Sequence, residues 1–157
     1  MKDATLCFLV AEGKILLGMK KRGFGKDKYN GFGGKVKDGE SVADAVIREL
    51  YEEIGVKTTK DYLEKLGELT FVFPYKEEWN QLVHVFVIKK WDGEPSESEE
   101  MAPGWFEHKN IPFEKMWQDD KHWMPLVLQG KKLEATFIFE ADNESIADFN
   151  INIKHNF

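Results

Sequence analysis

The stretch Arg48-Glu49-Leu50-Tyr51-Glu52-Glu53-Ile54-Gly55 places three carboxylates within five positions. On a helix, like charges three or four residues apart repel one another. Arg48 stands at i,i+4 from Glu52 and is placed to hold that carboxylate. A solvated acidic face with one ion pair would account for the stretch taken alone. Two features weigh against that account. The glutamates cluster instead of alternating with lysines, and a basic, glycine-rich segment, KKRGFGKDKYNGFGGKVK at 20–37, precedes them. Several carboxylates with no His/Cys cluster suit a hard divalent cation, Mg2+ or Mn2+, and not zinc. Such a cation would relieve the crowded charge. Beside a basic glycine loop it would also neutralise phosphate oxygens and activate water, which points to phosphoryl chemistry.

The helix that must carry these groups is delimited by its own residues. Ser41 with Asp44 three positions later predicts its start, and Gly55 its stop. At 100° per residue, Ala43, Ile47, Leu50 and Ile54 form the expected core stripe, with Glu49, Glu52 and Glu53 on another face. Upstream, apolar runs at 4–11 and 14–19 flank Glu12-Gly13 and predict a hairpin. Residues 20–34 read as a loop, and Asp38-Gly39 as a turn. Strands are expected at 66–73 and 82–88, and a short one at 105–107. A second helix is expected between Asp119-Asp120 and Gly130, with Pro125 in its first two turns. Strands at 134–140 and 146–153 would close the chain as a hairpin. The pattern is that of one mixed α+β domain over residues 1–157.

Composition narrows the function. The chain has 157 residues, 42% hydrophobic and 32% charged, as in water-soluble globular proteins. A net charge of −6 argues against affinity for nucleic acid polymers. No apolar run approaches the roughly 20 residues that span a bilayer, and the N-terminus reads as a strand, not a signal peptide. The single cysteine, Cys7, rules out an intramolecular disulfide and fits a reducing, cytoplasmic setting. In its apolar strand it reads as a small buried hydrophobe.

Gly34, five residues, Glu40, seven residues, Arg48-Glu49-Leu50, one residue, Glu52-Glu53, one residue, Gly55-Val56 is a complete Nudix box over residues 34–56. By this motif the chain resembles the Nudix hydrolases. The resemblance implies an α/β/α sandwich with a mixed sheet and a loop-helix-loop catalytic element. It implies Mg2+-dependent cleavage of a nucleoside diphosphate linked to another group. It also implies that Glu49, Glu52 and Glu53 bind the metal with the Gly33 backbone carbonyl, and that Arg48 orients a glutamate. Glu53 would be the most damaging of them to lose, while Glu40 belongs to the motif in a less direct role.

Further stretches narrow the resemblance. GMKKRGFG at 18–25, YNGFGGKV at 29–36, VHVF at 83–86 and MWQDD at 116–120 are similar to the eukaryotic-type MutT homologues, nearly end to end. That branch implies hydrolysis of oxidised purine nucleoside triphosphates, 8-oxo-dGTP and 2-hydroxy-dATP, to monophosphate and pyrophosphate, by a monomer. It implies that Asn30, Asp119 and Asp120 bond the base edge and that Trp117 stacks on the base. It further implies that Phe71 and Phe73 wall the pocket, that Thr5, Lys20, Phe24 and Met101 surround it, and that Glu100 is a further metal carboxylate. Physically, a purine needs an aromatic face and an edge of matched donors and acceptors. Adjacent Asp119 and Asp120 supply both if one is protonated; the plain alternative is an N-cap in which the helix dipole favours the ionised form. Gln81, Gln118 and Tyr29 depart from the branch, which bears on base preference. Trp105 and Trp123 read as packing residues and His84 as structural. Two other readings remain open: a Nudix pyrophosphatase acting on another nucleotide, such as an ordinary or methylated nucleoside triphosphate or ADP-ribose, and a non-catalytic Nudix-fold binding module. The intact glutamates argue against the latter.

Overall fold

The computed structural model describes residues 1–157. In chain order the elements are β1 (Lys2–Ala11), β2 (Lys14–Lys20), β3 (Tyr29–Asn30), α1 (Val42–Ile54), β4 (Glu64–Val72), β5 (Gln81–Ile88), β6 (Met101–Glu107), α2 (Asp120–Leu128), β7 (Lys132–Phe139) and β8 (Ile146–Lys154). All eight strands join one sheet in the order β3-β2-β1-β5-β4-β7-β8, with β6 along β2. The β1–β5 and β4–β7 pairs are parallel and the others antiparallel, so the sheet is mixed, as expected.

The β1–β2 hairpin turns at Glu12 and Gly13, both with positive φ (53° and 75°), the backbone twist a two-residue hairpin turn requires. β1 then pairs with β2 only over Leu9–Ala11. Nearer its start it bridges instead to Phe32 and Lys35, while β2 takes Tyr29-Asn30. The glycine segment is thus wedged between two diverging strands, with the Thr5 N–H donating to the Gly34 carbonyl at 2.8 Å. A Cβ at Gly33 would lie 1.9 Å from the Thr5 carbonyl oxygen, so only glycine fits there.

Alternate residues of β1 feed two cores. Cys7 and Leu9 meet α1 on one face, and Phe8 meets α2 on the other. The α1 helix starts as its sequence predicts, with the Asp44 N–H donating to Ser41 Oγ at 3.1 Å, and ends at Gly55 with φ 70°. Its core stripe differs from expectation. Val46, Leu50 and Ile54 are buried with Val42 packed beside them, while Ala43 and Ile47 are only half-buried. Both sets satisfy the 3.6 period; docking on the sheet sets the rotation that chooses between them, and this rotation buries Glu53. β6 begins at Met101, four residues before the expected strand. It is an edge strand pairing only β2, a place that tolerates Pro103 and Gly104. In α2, Trp123, Met124 and Val127 are buried and Pro125 sits in the second turn.

Candidate active site

The wedge carries Gly33 and Gly34 to the buried side of α1. Glu53, 6% exposed, accepts a hydrogen bond from the Gly33 N–H at 2.8 Å. Burial, then the charges of Glu49 and Glu100, push its carboxyl up to about 8; the Gly33 N–H and Lys20 act the other way. Gly34 lies against Glu49: a Cβ there would come within 2.5 Å of Glu49 Oε1. Arg48 organises the rest. Its Nε and Nη2 donate to both oxygens of Glu40 at 2.7 and 2.9 Å, and Nη2 also to the Lys35 carbonyl at 3.0 Å. Its Nη1 donates to Glu49 at 2.8 Å and to Glu52 at 3.3 Å. The i,i+4 contact read from the sequence is therefore the longest of these bonds, and the paired, planar bond runs to Glu40. This bond and the Lys37 N–H hold the Glu40 carboxyl at about 2. Glu40 thus acts on the carboxylates of the helix through Arg48. Glu52 and Glu100 are about half exposed, and Glu100 stands 3.6 Å from Arg22.

No three His, Cys, Asp or Glu side chains stand at the spacing of a preformed metal cage. The donor chemistry nonetheless fits a hard cation. The donors are carboxylate oxygens, and the buried one is surrounded by like charge that raises its proton affinity. Glu49, Glu52, Glu53 and Glu100 could hold a divalent ion with the Gly33 carbonyl.

A cleft of about 300 Å³ opens beside Glu53. Of the expected site residues it gathers Thr5, Lys20, Phe24, Asn30, Gly33, Glu53, Phe71, Phe73, Met101, Trp117, Asp119 and Asp120. Glu40, Arg48, Glu49, Glu52 and Glu100 lie outside its lining. Asp119 and Asp120 are 4% and 3% exposed. Asp119 occupies the N-cap of α2 but makes no cap bond; its Oδ2 accepts from Trp123 Nε1 at 2.8 Å. Asp120 Oδ2 is buried without a partner. Burial raises both carboxyls, and the Asp119 charge lifts Asp120 further. The plain capping account is excluded by this geometry. Asn30 Oδ1 accepts from the Gly31 N–H at 2.9 Å, which leaves its amide nitrogen to donate.

Trp117 carries Phe24 stacked at 5.1 Å and 22°, with Lys28 Nζ 4.8 Å from its ring centroid. Phe24 also meets Trp79 edge-on at 4.9 Å, and Trp79 meets Phe73 at 5.6 Å, which gives Trp79 a place that its polar surroundings in sequence did not reveal. Lys21 and Arg22 pair with Glu97, Glu99 and Glu100, so only Lys20 of that triplet lines the cleft. Trp105 stacks on Trp91, and buried His84 bonds Asp3 and Lys65, both as packing expectations had it. Sequence reasoning missed Lys28, Trp123, Phe139 and Asn143 as lining residues. Trp123 was signalled by its i+4 spacing from Asp119 and Phe139 by its alternation with Phe137. Asn143, from the β7–β8 turn, gave no signal.

A mixed sheet with a helix on each face, and a glycine wedge running into a carboxylate-bearing helix beside a nucleotide-sized cleft, define a Nudix-type phosphoanhydride hydrolase. The chain belongs to the Nudix family: the NUDIX domain model matches residues 1–127. It is 49% identical over 139 residues to the oxidized purine nucleoside triphosphate hydrolase of Danio rerio, covering 88% of this chain and 87% of that one. To the protein of the same name from Mus musculus it is 44% identical over 147 residues, covering 94% and 92%. Its fold superposes on the crystal structure of a mutator MutT protein from Bacillus halodurans with a TM-score of 0.83 at 25% identity, covering 97% and 98% of the two chains. Members of this family use divalent metal ions.

Proposed function

We propose that this protein hydrolyses oxidised purine nucleoside triphosphates, 8-oxo-dGTP and 2-hydroxy-dATP, to the monophosphate and pyrophosphate with Mg2+, and so cleanses the nucleotide pool of the cytoplasm as a monomer. The observation that carries the reading is the buried Asp119–Asp120 pair beside Trp117 and Asn30. A pair holding one proton presents a donor and an acceptor to a base edge, and moving the proton between oxygens exchanges them. One site can then accept an oxidised guanine and an oxidised adenine. The names of the relatives from Danio rerio and Mus musculus support the same substrate class.

Each group has a task in this reading. Glu49, Glu52, Glu53 and Glu100, with the Gly33 carbonyl, would hold Mg2+. Bound there, the ion would neutralise phosphate oxygens and lower the pKa of water. Arg48 and Glu40 fix the direction of Glu49. Lys20, in the lining of the cleft, meets phosphate oxygens. Glu53, buried and bonded to the Gly33 N–H, is a carboxylate placed to receive the proton of the attacking water. Trp117, Phe24, Phe71 and Phe73 enclose the base, with Thr5 and Met101 beside it. No helix is long and apolar enough to cross a membrane, and the substrate is a free nucleotide, not a nucleic acid polymer.

Gln81 favours a second reading in which the same chemistry serves another base: it is a polar residue in the lining of the cleft. The deciding measurement is pyrophosphate release with Mg2+ against EDTA, with kcat/KM compared for 8-oxo-dGTP, 2-hydroxy-dATP and dGTP. Equal efficiency on dGTP and its oxidised form would refute sanitation; no release in Mg2+ would refute catalysis.

A further inference from the structure

Lys28 has no task in the proposed reaction, yet it is fixed at the cleft. It stands at the neck of the β2–β3 loop, where its carbonyl accepts from the Lys20 N–H at 3.0 Å and the Asp27 N–H donates to the Lys20 carbonyl at 2.8 Å. Its place therefore does not swing with the loop tip. Its side chain is half-buried and lines the cleft. The ammonium lies 4.8 Å from the Trp117 ring centroid and 3.2 Å from Glu144 Oε1 on the β7–β8 turn.

The two lysines of the cleft divide between its ends. The charge of Lys20 acts on Glu53, at the cation end, and that of Lys28 acts on Asp120, beside Trp117. Lys28, over the Trp117 ring, is placed toward the base, which leaves Lys20 as the lysine for phosphate. An ammonium only donates hydrogen bonds, so at a base it recognises acceptors, the strongest being an exocyclic carbonyl oxygen. Adding oxygen to a purine adds such a carbonyl in the lactam form, at C8 of guanine or C2 of adenine. Ordinary adenine has none.

We propose that Lys28 is a specificity-determining residue that donates to an exocyclic carbonyl of the bound purine, with Glu144 as its partner while the cleft is empty. The inference rests on the oxidised-purine reading. The competing account is that the Lys28–Glu144 pair only ties two loops together; an ion pair this exposed contributes little to stability.

Lys28→Met, Lys28→Arg and Glu144→Gln separate the two. Steady-state kinetics on 8-oxo-dGTP, 2-hydroxy-dATP and dATP are to be joined with metal-free binding of 8-oxo-dGMP and dAMP, read by tryptophan fluorescence. Lys28→Met is expected to lower kcat/KM for both oxidised substrates roughly tenfold or more, chiefly through KM, as loss of a charged hydrogen bond does. The same variant changes dATP less than about threefold, Lys28→Arg restores most of the loss, and Glu144→Gln stays within about threefold on all three. An equal loss on all substrates, or the same loss in Glu144→Gln, would overturn the proposal in favour of a loop tie. Failure of the underlying function is separately visible as a wild type with no preference for oxidised triphosphates. The binding arm then decides alone: Lys28 keeps its role if Lys28→Met weakens 8-oxo-dGMP roughly tenfold and spares dAMP, and loses it otherwise.

Discussion

Glu53→Gln is expected to make the metal-free protein more stable while abolishing its activity. The glutamine keeps the shape and an oxygen that can accept from the Gly33 N–H, now at 2.8 Å from Glu53. It removes a charge that burial, Glu49 and Glu100 oppose. The sign follows from linkage. The folded carboxyl is raised from 4.5 to about 8, so its contribution is fully present below 4.5 and is lost as pH rises through 8. The gap corresponds to about 5 kcal/mol at full ionisation. Taking less than half of it, to allow for relaxation and water entry, leaves about 2 kcal/mol, or about 4–8 °C in Tm for a chain of this size. The assay is thermal unfolding in EDTA from pH 5 to pH 9, with and without Mg2+. The wild type should lose stability across that range and regain it with Mg2+. Glu53→Gln should lose less stability with rising pH than the wild type, stand above it in EDTA at pH 9, and respond far less to Mg2+. A metal-free variant no more stable than the wild type at pH 9 would refute the reasoning, whatever its activity.

Three further outcomes are expected. Asp119→Asn and Asp120→Asn should each change the ratio of kcat/KM for 8-oxo-dGTP and 2-hydroxy-dATP by about tenfold, since each fixes a donor where the proposed pair shares a proton; unchanged ratio and rate in both variants would exclude the shared-proton account. Gly34→Ala, whose Cβ would meet only the mobile end of Glu49 at 2.5 Å, should fold and yet need about tenfold more Mg2+ for half-maximal rate, whereas Gly33→Ala, driven against the Thr5 carbonyl at 1.9 Å, should not fold. Trp117→Ala should weaken 8-oxo-dGMP binding by about 1–3 kcal/mol, the stacking contribution of one base, read by calorimetry.

The box residues were legible because their chemistry depends on spacing along one helix. Arg48, Glu49, Glu52 and Glu53 fall within six positions, and Ser41 and Gly55 end the helix by local rules that need no distant partner. The hairpin at Glu12-Gly13 and the alternating strands were legible for the same reason. The rotation of α1 was not. Val42, Val46, Leu50 and Ile54 compete with Ala43, Ile47, Leu50 and Ile54 on equal periodic terms, and contact with Leu9, Phe32 and Phe86 across the sheet selects the first set. That rotation alone sends Glu53 inward and leaves Glu52 half exposed.

The base end of the cleft shows the same division. Asp119 and Asp120 were identified by their neighbours in sequence, but their sequence position at a helix start argued for ionised caps. Only burial raises their carboxyls, because desolvation depends on what packs around a group and not on what precedes it. Lys28 and Asn143 come from two separate connections, and nothing local links them to a cleft. The sequence by itself thus determined the reaction type, since a run of helix-spaced carboxylates after a glycine wedge is a short-range pattern. The tertiary structure decided which carboxylate of the helix is buried, which aspartates are withdrawn from water and which lysine lies over Trp117, since these depend on long-range packing and the dielectric it creates.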